Sequence, residues 1–169
     1  MKRYENRQTA EALKELESTG EEDSWAEVLK DKLARETSFR FKTTGHSMYP
    51  FIREGDSVVV TSLRSKKIHL GDIVAMVHPT SGRLFIHRII GKDGTYVITK
   101  GDNGACADGR IPGQFIFGSV TGIERNGKRL CLGLGPERAL IALLSRKEWL
   151  HPLFWLLRSL FARRSSRWA

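Results

Sequence analysis

The segment Thr44-Gly45-His46-Ser47-Met48-Tyr49-Pro50-Phe51 sets a serine between a glycine and a proline, just ahead of the run Asp56-Ser57-Val58-Val59-Val60. Forty residues after Ser47, Phe85-Ile86-His87-Arg88-Ile89-Ile90 carries a single histidine inside a second apolar run. Thr99-Lys100-Gly101-Asp102-Asn103 follows, and a further carboxylate stands at Asp108. A hydroxyl, an imidazole and an acid are what nucleophilic acyl transfer requires. A serine hydroxyl attacks poorly until a base within hydrogen-bond reach takes its proton, and a histidine of ordinary pKa near 6.5 is suited to that task. A carboxylate on the second ring nitrogen would fix the tautomer and stabilise the imidazolium. The chemistry depends on the three groups meeting in space.

Each piece alone has a plainer reading. Pro50 fixes φ and Ser47 can cap a local backbone group, so Ser-Met-Tyr-Pro is compatible with a simple turn. A lone histidine in an apolar strand is compatible with a satisfied core residue, and Gly-Asp-Asn is an ordinary turn. The order and spacing of the whole set are far more specific. Ser47-Met48-Tyr49-Pro50, Gly55-Asp56, Gly71-Asp72-Ile73-Val74, His87-Arg88-Ile89 and Lys100-Gly101-Asp102-Asn103 with Asp108 together resemble type I signal peptidases. They also resemble the related self-cleaving repressor proteases, over about residues 43–122. Most bacterial signal peptidases and the repressors have lysine at the position of His87. The endoplasmic-reticulum type and similar archaeal and sporulating-bacterial enzymes have histidine followed by arginine, which is the pattern here.

The resemblance implies that Ser47 is the nucleophile, His87 the general base and Asp108 the acid that orients the imidazole. Asp102 shares the loop as a supporting residue, its role left open between a structural one and a part in the site. Gly45 permits an unusual local turn, so the backbone N–H of Ser47 is a candidate oxyanion-hole donor, with Met48 as a further supporting residue. Three features depart from signal peptidases. A charged, amphipathic N-terminal region stands where they carry a membrane-spanning helix, Gly45-His46 precedes the serine as in the repressor-like pattern, and the core is minimal.

The elements that must position these residues change character along the chain. Residues 8–36 read as helical, with Ser24-Trp25-Ala26-Glu27 as a capping box and Trp25, Val28, Leu29 and Leu33 at helical spacing. Gly20 separates a weaker helix over about 8–18. From residue 38 to about 132 short β-type runs alternate with turns: 38–43, 56–62, 72–78, 84–91, 95–99, 115–124 and 128–132. Asp93-Gly94 and Asn126-Gly127 are two-residue hairpin signals. Arg88, next to His87, should face the other side of its strand. After Gly133-Leu134-Gly135-Pro136 the pattern turns helical again, with Pro152 in the first turn of an amphipathic stretch over 148–164. The expected organisation is a helical N-terminal extension (1–37), a β-rich peptidase domain (38–132) and a basic amphipathic C-terminal segment (133–169). The fold class is mainly β, of the signal-peptidase/repressor-protease type, with helical extensions.

Composition bounds the rest. A chain of 169 residues with 40% hydrophobic and 28% charged residues is one ordinary domain with appendages. Only Cys106 and Cys131 occur, without a CxxC pair, which argues against a zinc ribbon or disulfide scaffold and suits a reducing compartment. Cys106 reads as a small buried hydrophobe. His46 should point away from the site, and His69 and His78 lie by turns. No histidine pair has zinc-ligand spacing with a third ligand, so neither a metal nor another cofactor is expected. Residues 1–37 hold seven basic against ten acidic side chains, so the net charge of +9 is concentrated beyond them. Nucleic-acid motifs are lacking, and the expected partner is a polypeptide substrate. The basic, aromatic stretch 148–164 is placed either for peripheral contact with a membrane or for packing on the β-domain or N-terminal helix. The N-terminus has no apolar core of a secretory signal, and no uncharged apolar run reaches the roughly 18 residues of a membrane span. A peripheral membrane or cytoplasmic location follows as the expectation.

The sequence therefore reads as a serine endopeptidase with a Ser47-His87-Asp108 site, acting on signal-peptide-like or membrane-proximal substrates. Two alternatives stay open: a self-processing or dedicated maturation protease, and a catalytically inactive β-domain used for binding.

Overall fold

Among the described residues, eight antiparallel strands form the frame of the fold. A computed structural model describes residues 38–63, 67–77, 84–150 and 152. The expected N-terminal helix, His78 and nearly all of the 148–164 stretch lie outside the described residues. The strands are β1 (Ser38–Lys42), β2 (Ser57–Ser62), β3 (Ile73–Val77), β4 (Leu84–Asp93), β5 (Tyr96–Lys100), β6 (Arg110–Pro112), β7 (Ile116–Arg125) and β8 (Lys128–Leu130). They form one sheet in the order β1-β2-β7-β3-β4-β5-β6, with β8 also on β7. Helix α1 (Arg138–Arg146) follows.

The strand sequences explain this layout. In β2, Val58 and Val60 are fully buried while Ser57 and Val59 are only half-buried, the alternation of a one-sided strand. The run Ile-Val-Ala-Met-Val of β3 is buried at every position, as a continuous apolar run predicts. Ile73, Ala75 and Val77 enter a core with Phe39, Val58, Val60, Phe117 and Ile123. Val74 and Met76 enter a second core with Ile89, Val97, Ile111 and Ile116. The sheet is thus wrapped about β3, which is shared by two apolar layers.

Two differences from the sequence reading have simple causes. The β4–β5 loop is Gly94-Thr95 rather than Asp93-Gly94, because Asp93 still pairs with Tyr96. Gly94 alone has positive φ (+59°), the arrangement of a type II′ turn with glycine first. At the β7–β8 loop Asn126 and Gly127 both have positive φ, as a type I′ turn demands. Strand β6 was not foreseen, since three residues ending in proline carry no alternation to read.

Three Gly-Asp turns are each held by an arginine distant in sequence. Asp56 accepts from Arg125 Nε at 2.9 Å and Nη2 at 2.8 Å. Asp72 lies 3.0 Å from Arg138 Nε, which ties the start of α1 to the sheet. Asp102 pairs with Arg88. All three carboxylates are buried. Partial or full desolvation makes such pairs costly to break, so each turn is fixed where it forms.

Candidate active site

Ser47 stands on an excursion between β1 and β2, residues 43–56, that is closed at its neck. Thr43 N–H donates to the Asp56 carbonyl and Gly55 N–H to the Thr43 carbonyl, both at 2.8 Å, while Thr43 Oγ1 donates to the Arg53 carbonyl at 2.7 Å. Met48 and Ile52, 4% and 3% exposed, plug the excursion into the first core. Met48 thus pulls its side chain inward, and Ser47 is left exposed at the turn. Tyr49 N–H donates to the His46 carbonyl at 3.1 Å, Gly45 has φ of +81°, and the Tyr49–Pro50 peptide is cis. His46 itself is exposed and lies 3.4 Å from Glu54.

His87 sits in β4 opposite Val74 of β3, with its ring stacked on Phe85 at 5.5 Å. The loop from Gly101 to Gly109 turns back so that Asp108 meets it: His87 Nδ1 and Asp108 Oδ2 are 2.7 Å apart. The same oxygen accepts from Thr99 Oγ1 at 2.8 Å, and Asp108 N–H donates to the Thr99 carbonyl at 2.8 Å. An ionised carboxylate only accepts, so Nδ1 carries the proton and Nε2 presents its lone pair. His87 Nε2 is buried and has no hydrogen-bond partner among the described residues.

Gly101 shows how near Ser47 comes to that lone pair. A methyl group built on Gly101 would stand 2.7 Å from the Ser47 carbonyl oxygen, 3.3 Å from Ser47 Cβ and 3.1 Å from His87 Nε2. Serine and histidine therefore border the same space at Gly101, which is too narrow for a methyl group. Asn103 N–H holds the serine turn there by donating to the Ser47 carbonyl at 2.8 Å. Serine, imidazole and Asp108 come together; Asp102 does not join them.

Asp102 belongs to the other face of β4. Arg88 alternates with His87, as its position predicts, and its guanidinium donates from Nε and Nη2 to the two Asp102 oxygens at 2.8 and 2.7 Å. Nη1 donates to the carbonyls of Gly71 and Gly133, both at 2.9 Å, and the group lies 5.2 Å from the centre of the Phe51 ring. Burial pushes the Asp102 carboxyl above its ordinary value, and the Arg88 hydrogen bonds and charge work against that rise. Arg88 thus fastens the serine excursion, the Gly-Asp turn and the loop before α1 to the strand that bears the histidine.

Sequence reasoning missed Thr99 and the spacing role of Gly101. Thr99 pairs with Ile89 across β4 and β5, which places it on the His87 face; only knowledge of that register would have singled it out. Cys106 is exposed rather than buried, because the loop that returns Asp108 runs over the surface. His69 is exposed, and its Nδ1 lies 3.7 Å from Asp72. Among the described residues no cluster of three His, Cys, Asp or Glu side chains could hold a metal ion.

A serine set beside a carboxylate-bound histidine, on a wrapped antiparallel sheet, is an arrangement that could carry out nucleophilic acyl transfer. The family model of the Peptidase S24-like family matches residues 6–121, and this chain belongs to that family. The match bears out the signal-peptidase/repressor-protease superfamily and the mainly β fold. No curated protein matches the chain significantly.

Proposed function

We propose that this chain is a serine endopeptidase in which Ser47 attacks, His87 moves the proton and Asp108 holds the imidazole. One observation carries the reading: His87 is bound through Nδ1 to Asp108 while its free, buried Nε2 borders the space beside Ser47 Cβ. In the first step Ser47 Oγ adds to the scissile carbonyl carbon as Nε2 takes its proton. Asp108 stabilises the imidazolium so formed, and the Ser47 N–H, in the turn opened at Gly45, serves as a donor to the oxyanion. The imidazolium then protonates the departing amine, leaving an acyl-enzyme. Water, deprotonated by the same nitrogen, releases the second product and restores Ser47. Extended polypeptides are the substrate class, and signal-peptide-like or membrane-proximal segments are the first to test, since His87-Arg88 matches the Ser-His branch of signal peptidases.

Cleavage of a complex peptide library, read as new N-termini by mass spectrometry, tests the reading. Wild-type protein should generate new termini. Ser47→Ala and His87→Ala should each lose nearly all of them, with the double variant little worse, because the two act as a unit. Asp108→Asn should fold normally yet turn over on the order of a thousandfold more slowly, since the amide favours the wrong tautomer. Full cleavage by His87→Ala would rule the Ser-His assignment out.

A further inference from the structure

Asp108 reaches the histidine from an unprotected stretch of chain. Ala105, Cys106 and Ala107 before it and Gly109 after it are exposed. The Asp108 side chain is itself 20% exposed, against 10% for that of His87. Water therefore reaches the carboxylate, and rotation about its two side-chain bonds could swing it off Nδ1. Thr99 opposes that motion from two points. Its carbonyl accepts the Asp108 N–H at 2.8 Å, and its Oγ1 lies 2.8 Å from Oδ2, the oxygen that meets His87. Thr99 is fully buried, so this anchor is stripped of water.

The chemistry of the hydroxyl fixes its direction. It has one proton and two acceptors within reach, Asp108 Oδ2 and, at 3.6 Å, the sulfur of the fully buried Met76. A carboxylate accepts far more strongly than a thioether, so the proton goes to Asp108. A donated hydrogen bond favours the ionised carboxylate, which can then only accept from the imidazole. Gly101, two residues after Thr99, borders the other side of the same ring at Nε2. Two neighbouring positions thus address the two nitrogens of one imidazole.

We propose that Thr99 is a positioning residue, whose hydroxyl, acting through Asp108, holds the His87 proton on Nδ1 and so keeps the lone pair on the nitrogen beside Ser47. Its bearing on catalysis rests on the peptidase reading; its bearing on the imidazole tautomer does not.

Two substitutions separate hydroxyl from packing. Thr99→Val keeps the branched shape and removes the hydroxyl, whereas Thr99→Ser keeps the hydroxyl and removes a methyl group. The full chain, labelled with nitrogen-15 at histidine, is read by NMR at about pH 8, above the ordinary histidine range. The His87 signals are assigned by their loss in His87→Ala. Wild-type protein should show a protonated, slowly exchanging Nδ1 and a bare Nε2. In Thr99→Val the two tautomers should mix, with Nδ1–H exchanging at least about tenfold faster, the factor that a hydrogen bond to a charged group carries. Thr99→Ser should keep the wild-type signature. On any peptide that the wild-type chain cleaves, Thr99→Val should lower kcat about tenfold to a hundredfold with KM unchanged, and Thr99→Ser far less. A wild-type tautomer pattern in Thr99→Val would overturn the proposal. So would loss of the pattern in Thr99→Ser, which decides the matter even if the valine variant does not fold. Should the wild-type chain cleave no peptide, the peptidase reading falls, and the tautomer signature still decides the role of Thr99.

Discussion

At the scale of single residues, the most constrained position of the site is one without a side chain. Gly101 lets the Ser47 carbonyl and His87 Nε2 approach the same space, and a methyl group there would overlap backbone rather than a flexible side chain. Gly101→Ala is therefore expected to push the serine turn away from the histidine. Cleavage should fall by roughly a hundredfold or more, as small displacements of reacting groups commonly cost, while the thermal midpoint moves far less. An alanine variant with wild-type turnover would show that the distance between Ser47 and His87 is set elsewhere. Ser47 and His87 stood out as candidates through their types and order, and Asp108 through the family resemblance; the structure sets the three side by side. Thr99 did not stand out, because a threonine in a strand gains meaning only from the strand beside it. Arg88 was expected to face away from His87, but its four acceptors come from Gly71, Asp102 and Gly133, and no local pattern announces them.

At the scale of elements, the Gly-Asp turns act as fixed corners. Burial raises the Asp56 carboxyl, but the hydrogen bonds from Arg125 and the Arg53 amide outweigh it, so the group lies below its ordinary value. The folded pKa is thus depressed relative to the unfolded chain. The stabilisation is present above the unfolded carboxylate range near 3.9 and is lost as pH falls through the depressed folded value. Wild-type protein should lose stability to urea more steeply between pH 5 and pH 3, a window chosen to span that ordinary value, than Asp56→Asn does. Parallel pH profiles for the two proteins would show that the Arg125 pair adds nothing to acid stability. Strands with alternation or continuous burial were read within a few residues of their limits. Helix α1 was not delimited, because Ala139-Leu140-Ile141-Ala142-Leu143-Leu144 has no polar face to give a period, and Glu137 at its N-cap makes no side-chain cap.

At the scale of the whole molecule, β3 joins the two apolar layers, so neither is an independent unit. Met76 is fully buried beside Val74 in the second layer, and its neighbours Ala75 and Val77 fill the first. Met76→Ala should cost about 2–5 kcal/mol, the usual range for emptying such a site. The loss should appear as one cooperative transition of lower midpoint, followed by far-ultraviolet circular dichroism and by scanning calorimetry together. Two separated transitions would mean that the layers unfold apart.

The place of β7 in the sheet has a consequence for the protein during its own synthesis. Strands β1 and β2, which flank the serine excursion, join β3 to β6, which bear the histidine, only through β7 in the hydrogen-bonded order. Yet β7, residues 116–125, is made after all of β1 to β6. A chain that emerges from its N-terminus lacks any sheet pairing between the half that carries Ser47 and the half that carries His87 until β7 inserts between them. If Ser47, His87 and Asp108 act as one site, a growing polypeptide with this topology acquires it only after β7 has been made, so no shorter nascent chain should cleave its neighbours.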